Sequence, residues 1–102
     1  MENINPLISI ITTVKNGEEH LEECFESLQN QSYKNFEHIV IDGGSTDRTL
    51  EIINNHKSKI KFFSSQKDEG IYDGFNKGME QASGEYLGFL NSDDILMPDA
   101  LM

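Results

Sequence analysis

The sequence predicts an α/β fold, a mostly parallel sheet with helices on both faces. Short apolar, largely β-branched runs alternate with segments of helical period: strand and helix three times over, then a final strand. The loops between them are short, so each helix must cross back over the sheet to reach the next strand. Polar clusters follow the first, second and fourth strands, at 13–17, 42–47 and 91–94. In open parallel sheets ligands bind beyond the carboxyl ends of the strands, so the same alternation that predicts the fold also predicts a site on one rim.

The elements follow in order. Residues 7–14, Leu7-Ile8-Ser9-Ile10-Ile11-Thr12-Thr13-Val14, form a run typical of a strand buried on both faces, with Pro6 marking its start. Lys15-Asn16-Gly17 breaks the run with turn residues. From 18 to 31 the period becomes helical: Leu21, Cys24, Phe25 and Leu28 fall on one stripe and glutamates fill the outer face. Glu18 and Glu19 suit a helix N-terminus. Residues 36–41 read as the second strand and enter the polar loop Asp42-Gly43-Gly44-Ser45-Thr46-Asp47. Thr46 is the expected N-cap of a helix over 47–56, with Leu50 and Ile53 facing inward. Residues 60–63 give a short third strand, 64–70 a second loop, and 71–82 a third helix ended by Ser83-Gly84. In that helix Gly74 and Gly78 point to close packing on the sheet, whereas Gly70, at the loop end, suits packing or backbone approach to a ligand equally. Residues 86–90 are the fourth strand.

Composition limits the function classes. At 102 residues the chain is a single small domain, 36% apolar and 25% charged, enough for a modest core. Eighteen acids against eight bases give a formal charge of −10, which argues against a nucleic-acid or anionic-membrane surface. Cys24 is the only cysteine, so no intrachain disulfide or cysteine metal cluster can form, and its place on the apolar stripe makes it a core residue. The N-terminus lacks the basic and apolar regions of a signal peptide, and no run is long enough to span a bilayer. The expected location is the cytoplasm, or the inner face of the membrane as a peripheral protein. Exposed sheet edges would allow a homodimer. His20, His38 and His56 share no spacing and are expected to have structural or surface roles.

The stretch Tyr86-Leu87-Gly88-Phe89-Leu90-Asn91-Ser92-Asp93-Asp94 carries the sharpest chemical signal. Adjacent carboxyl groups at a strand end repel unless a cation or hydrogen-bond donors stabilise both. Mg²⁺ and similar hard cations favour one or two carboxylates plus phosphate oxygens. A metal-bridged phosphate site is therefore expected at Asp93 and Asp94.

Taken together, Ile8-Ser9-Ile10-Ile11-Thr12, Ile41-Asp42-Gly43-Gly44-Ser45-Thr46-Asp47 and Phe89-Leu90-Asn91-Ser92-Asp93-Asp94 resemble the inverting family 2 glycosyltransferases. Residues 69–78 and Met97-Pro98-Asp99 also follow the family pattern, and the resemblance runs from about Leu7 to Leu101. It implies the Rossmann-like GT-A fold, which binds nucleotide-diphospho-sugars with Mg²⁺ or Mn²⁺. It further implies a transferase acting on a glycan or lipid-linked acceptor in polysaccharide or cell-surface glycan synthesis. By position, Thr13, Asn16 and Asp42 fall in the nucleoside pocket, with Lys15 and Gly43 beside them. Gly70, Asp73 and Asn76 line the donor pocket, Asp93 serves the ribose or the metal, and Asp94 is a metal ligand; the two roles are interchangeable at this stage. Lys15 stands where many relatives have an aromatic residue that stacks on the base, so it meets a phosphate or carboxylate instead. Gly43 replaces a second Asp, and Asn91 replaces an acid with a neutral oxygen donor. The resemblance also implies a longer catalytic domain, with the acceptor half and the general base beyond Met102. Residues 1–102 are thus expected to be the nucleotide-sugar-binding part and inactive alone.

Other classes fit less well. A phospho-accepting receiver keeps its acid pair after the first strand, where this chain has Thr12-Thr13-Val14-Lys15-Asn16. A sugar nucleotidyltransferase would carry a Gly-rich basic loop there, and only Gly17 is present. A glycosidase needs its two carboxyl groups ~5 Å or more apart across a sugar, which adjacent aspartates on one turn do not provide.

Overall fold

A computed structural model describes residues 6–66 and 71–92, with side chains omitted at 71–73. The element order is β1 (Ile8–Val14), α1 (Leu21–Gln29), β2 (Phe36–Asp42), α2 (Thr49–Asn55), β3 (Phe62–Ser65), α3 (Ile71–Gln81) and β4 (Tyr86–Phe89). Among the described residues the strands form one parallel sheet in the order β3-β2-β1-β4. β1 and β2 pair along their full lengths, from Ile8 opposite Phe36 to Val14 opposite Asp42. This register brings the polar ends of both strands to the same rim.

The alternation of side chains along β1 and β2 divides the core. Ile10, Val14 and Val40 point to one face and pack against Leu21, Cys24, Phe25 and Leu28 of α1 and Ile53 of α2. Ile11, Ile39 and Ile41 point to the other, where Phe75 of α3, Phe62 and Ala82 cover them. Helices therefore lie on both faces, as expected. Burying each large side chain of this set contributes about 1.5–3 kcal/mol. Gly78 lets α3 lie close to the sheet: a Cβ there would sit 2.5 Å from Ile11 Cγ2.

Several boundaries differ from expectation. α1 starts at Leu21, because residues 18–20 form a turn in which the His20 and Leu21 N–H groups both donate to Gly17 O. Thr46 is not the cap of α2; the Asp47 carboxyl accepts the Thr49 N–H at 2.9 Å instead. Leu50 is 39% exposed rather than inward. Thr49 and Ile53 form the inward stripe, because the Thr49 hydroxyl is drawn in to accept the Gly17 N–H at 2.8 Å. β3 begins at Phe62, two residues late, since Lys57–Lys59 forms a 3-10 turn and Ile60 packs against the core. Among the described residues β4 is an edge strand, with Tyr86, Leu87 and Phe89 all exposed and Leu90 beyond it buried.

The amino end of the sheet is fastened by Glu37. Its carboxyl accepts the Ser9 hydroxyl at 2.6 Å, and Lys61 Nζ, the Ser83 N–H and the Ser83 hydroxyl at 2.8 Å each. Ser9 Oγ in turn accepts the Gly84 N–H at 2.8 Å. Burial pushes the Glu37 pKa up, but these donors outweigh it and hold it at about 2. His38 and His56 are structural and His20 is exposed at the surface, as expected. His38 is buried against Thr12 Oγ1 at 2.8 Å, and the rings of His38 and His56 both meet Phe25 edge-on. His56 also pairs with Glu22 and Gln29.

Candidate functional site

The carboxyl ends of all four strands are joined into a continuous rim. The Gly43 N–H donates to Val14 O at 2.8 Å, linking β2 to β1, and the Gln66 N–H donates to Asp42 O at 3.0 Å, linking β3 to β2. On the other side the Leu90 N–H donates to Ile11 O at 3.0 Å. Sheet pairing thus continues past the strands and fixes where the loops begin.

Asp42 organises the centre of this rim. It is 1% exposed. Its Oδ2 accepts the Gly44 N–H at 3.0 Å, the Ser45 N–H at 2.9 Å and the Ser65 hydroxyl at 2.8 Å, while Oδ1 accepts the Ser45 hydroxyl. Gly44 sits at φ 90°, a left-handed conformation that glycine adopts without a Cβ penalty. The turn it makes folds two successive N–H groups back onto one carboxyl oxygen.

The loop after β1 is latched to the loop after β2. Asn16, at φ 53°, donates its N–H to Ser45 Oγ and accepts the Thr46 N–H on Oδ1, both at 2.8 Å. Asparagine tolerates the left-handed region because its short side chain can bond locally. The Glu18 N–H reaches Asp47 Oδ2 at 3.3 Å. For Asp47, slight burial acts upward on its pKa, but bonds from Thr49 and Glu18 outweigh it and lower it below the usual carboxylate value.

The approach to the acidic turn is held against α1. Cys24 Sγ donates to Asn91 O at 3.4 Å. A Cβ on Gly17 would meet Val14 Cγ2 at 2.7 Å and Ser92 Oγ at 3.4 Å, so the loop after β1 and the residues after β4 are close neighbours.

The sequence-predicted residues are therefore distributed as follows. Thr13 is half-buried at the end of β1, Lys15 and Asn16 are exposed beside it, and Asp42 and Gly43 are buried at the end of β2. Asn76 is exposed on α3. Gly70, Asp93 and Asp94 lie outside the described residues, as do Asp68, Glu69 and 97–99; the side chains of Tyr72 and Asp73 are likewise undescribed. Ser65 was not anticipated. Its signal was hidden because β3 runs two residues further than its apolar stretch. No three His, Cys, Asp or Glu side chains converge as a metal cluster among the described residues. Asn91 is tied to Cys24 of α1 and Ser92 lies beside Gly17, and in sequence two adjacent aspartates, Asp93 and Asp94, follow them.

Comparison with known proteins gives this rim a family. The sequence pattern of Glycosyl transferase family 2 matches residues 9–102. The chain belongs to that family. An uncharacterized glycosyltransferase of Haemophilus influenzae is 46% identical over 99 residues, covering 94% of this chain and 40% of that protein. Chondroitin synthase of Escherichia coli is 38% identical over 99 residues, covering 94% of this chain and 14% of that protein. The crystal structure of S. aureus TarS 1-349 in complex with UDP-GlcNAc superposes with a TM-score of 0.81 and 31% identity, over 91% of this chain and 28% of that one. The mannosyltransferase PcManGT from Pyrobaculum calidifontis, in complex with GDP-Man and Mn²⁺, gives a TM-score of 0.82 at 21% identity, over 94% of this chain and 30% of that one. Its likeness is one of fold. The chain thus spans less than half the length of these proteins. The family 2 chain has the GT-A fold, and no helix among its described residues is long and apolar enough to cross a membrane.

Proposed function

We propose that this chain is the donor-binding part of a glycosyltransferase. It transfers a sugar from a nucleotide-diphospho-sugar to an acceptor hydroxyl, with inversion and with metal assistance, in polysaccharide or cell-surface glycan synthesis. The observation that carries the reading is the rim itself, where the loops after β1 and β2 are latched together and the residues after β4 dock beside them. A nucleoside lying across β1 and β2 would have its diphosphate directed toward 93–94. The UDP-GlcNAc complex of a 31% identical relative supports the donor class.

In this reading Thr13, Asn16 and Gly43 face the nucleoside over the buried Asp42, and Lys15 offers its ammonium to a phosphate. Gly70, Asp73 and Asn76 bound the pocket from the α3 side. Asp93 and Asp94 would hold Mg²⁺ or Mn²⁺, one of them also meeting the ribose. Such an ion supplies charge neutralisation to the departing nucleoside diphosphate. The protein's own residues bind and orient the donor so that one face of the anomeric carbon stays open to the acceptor. A general base then takes the acceptor proton; no residue among 1–102 is assigned that role.

A thermal-shift titration with UDP and GDP, each with and without Mn²⁺, tests the reading. At a tenfold excess over Kd a ligand stabilises by about 1.4 kcal/mol, or roughly 5–10 °C for a domain of this size. Asp93→Asn together with Asp94→Asn should abolish the metal-dependent part. Absence of any metal-dependent shift at millimolar nucleotide refutes the proposal.

A further inference from the structure

Asp42 is placed where a ligand can feel it but not touch it. The residue is 1% exposed and its carboxyl takes four donors, the N–H groups of Gly44 and Ser45 and the hydroxyls of Ser45 and Ser65. Oδ2 takes three of these donors and Oδ1 one, and the burial of the residue keeps a ligand donor from the remaining acceptor site. The Ser45 hydroxyl has one proton and gives it to Asp42, so its oxygen is oriented to accept the Asn16 N–H at 2.8 Å. That bond, with the Thr46 N–H on Asn16 Oδ1, holds Asn16 in its left-handed conformation at the exposed lip of the rim. Ser65 ties the same carboxyl to the end of β3, beside the Gln66 N–H to Asp42 O bond.

We propose that Asp42 and Ser65 are a positioning pair for the nucleotide: they set the rim through Ser45 and Asn16 and make no contact with the ligand. The inference rests on the donor-binding reading above. Loosening the pair leaves the groups that meet the nucleotide intact but lowers the fraction of molecules in which the two loops are correctly latched, and the apparent Kd rises in inverse proportion to that fraction. Ser65 is one hydroxyl at the end of an edge strand, so its removal acts on the latch more than on the core.

Calorimetric titration of UDP and GDP with Mn²⁺ tests the pair on wild type, Ser65→Ala, Ser65→Thr, Asp42→Asn and the Asp42→Asn/Ser65→Ala double variant, with Tm measured alongside. Ser65→Ala should raise the Kd about fivefold or more, within the range of couplings between separated groups. Ser65→Thr, which keeps the hydroxyl, should restore it. The double variant should bind no more than about twofold worse than Asp42→Asn, because both changes break the same device. An unchanged Kd in Ser65→Ala, with only Tm lowered, overturns the proposal, since the hydroxyl is then merely structural. Multiplying effects in the double variant also overturn it, since each residue then meets the ligand independently. Should Asp42→Asn fail to fold, the Ser65→Ala and Ser65→Thr pair decides alone. Failure of the wild type to bind either nucleotide refutes the donor-binding reading and this proposal with it, whereas wild-type binding with an unmoved Ser65→Ala variant refutes only the latter.

Discussion

Glu37 offers a quantitative test of what holds the α3–β4 connection to the sheet. Its carboxyl is 9% exposed and Lys61, its ionic partner, is 45% exposed. Burial alone would raise the Glu37 pKa, but Lys61, Ser9 and both donors of Ser83 lower it from 4.5 to about 2. The folded pKa is depressed, so the stabilisation is fully present above pH 4.5 and is lost as the pH falls through about 2. At 1.36 kcal/mol per pKa unit the shift corresponds to about 3 kcal/mol. Part of it comes from the solvated Lys61 and is screened, leaving roughly 2 kcal/mol. Glu37→Gln keeps the shape, removes the charge and presents an NH₂ group to Lys61. Urea denaturation of both proteins should therefore show the variant about 2 kcal/mol less stable at neutral pH. The gap should narrow through the window below pH 4.5 and nearly close at about pH 2. All other carboxyl groups are common to both proteins and cancel. A gap that stays constant across this window would show that Glu37 acts by shape and not by charge.

Three further outcomes follow from the packing and the buried imidazole. Gly78→Ala places a Cβ 2.5 Å from Ile11 Cγ2, and the overpacking cost exceeds the ~1 kcal/mol gained in helix propensity, for a net loss of about 1–2 kcal/mol; in an Ile11→Ala background the same change should be neutral or stabilising. His38 is held down to about 3 by burial, with nearby His56 adding to the effect. Its neutral form therefore stabilises fully above pH 6.5 and that stabilisation is lost as the pH falls toward 3, so His38→Gln should flatten the stability–pH slope in that window by about 5 kcal/mol in total. Gly17→Ala would press on Val14 and Ser92; it should lower stability by about 1–3 kcal/mol and weaken metal-dependent nucleotide binding, both readable in one thermal-shift plate.

The order and type of the elements were legible because the apolar period changes sharply between strand and helix. Leu21, Cys24, Phe25 and Leu28 do face the core as their spacing says. What failed depended on distant partners. Ile53 faces inward as its spacing says, but Thr49 takes the inward place expected of Leu50 because its hydroxyl accepts the Gly17 N–H, 32 residues away in sequence. The end of β3 was unreadable because Ser64 and Ser65 lack strand character; Ser65 is carried into the sheet opposite Asp42 by register. The grouping of His38 and His56 around Phe25 arises only when β2, α1 and α2 close together. At the site, the polar clusters announced a rim, but not that Asp42 would be buried beneath it with four donors from its own chain.

Gly84 has a consequence for how the chain assembles. A Cβ there would strike Leu7 O at 2.7 Å and Ser9 N at 2.8 Å, so β4 enters the sheet through a gap that only a hydrogen atom fits. Its N–H bonds Ser9 Oγ across 75 residues of chain, and the Glu85 N–H donates to Leu7 O at 2.8 Å. Closing so long a loop costs more entropy than pairing β1 with β2 or β2 with β3. We predict that β4 joins last, zipping from its Gly84 end. In pulse-labelled hydrogen exchange the Glu85 amide should gain protection after the amides of 39–41; earlier protection would reverse the order. During synthesis the far edge of β1 then stays unpaired until β4 has emerged.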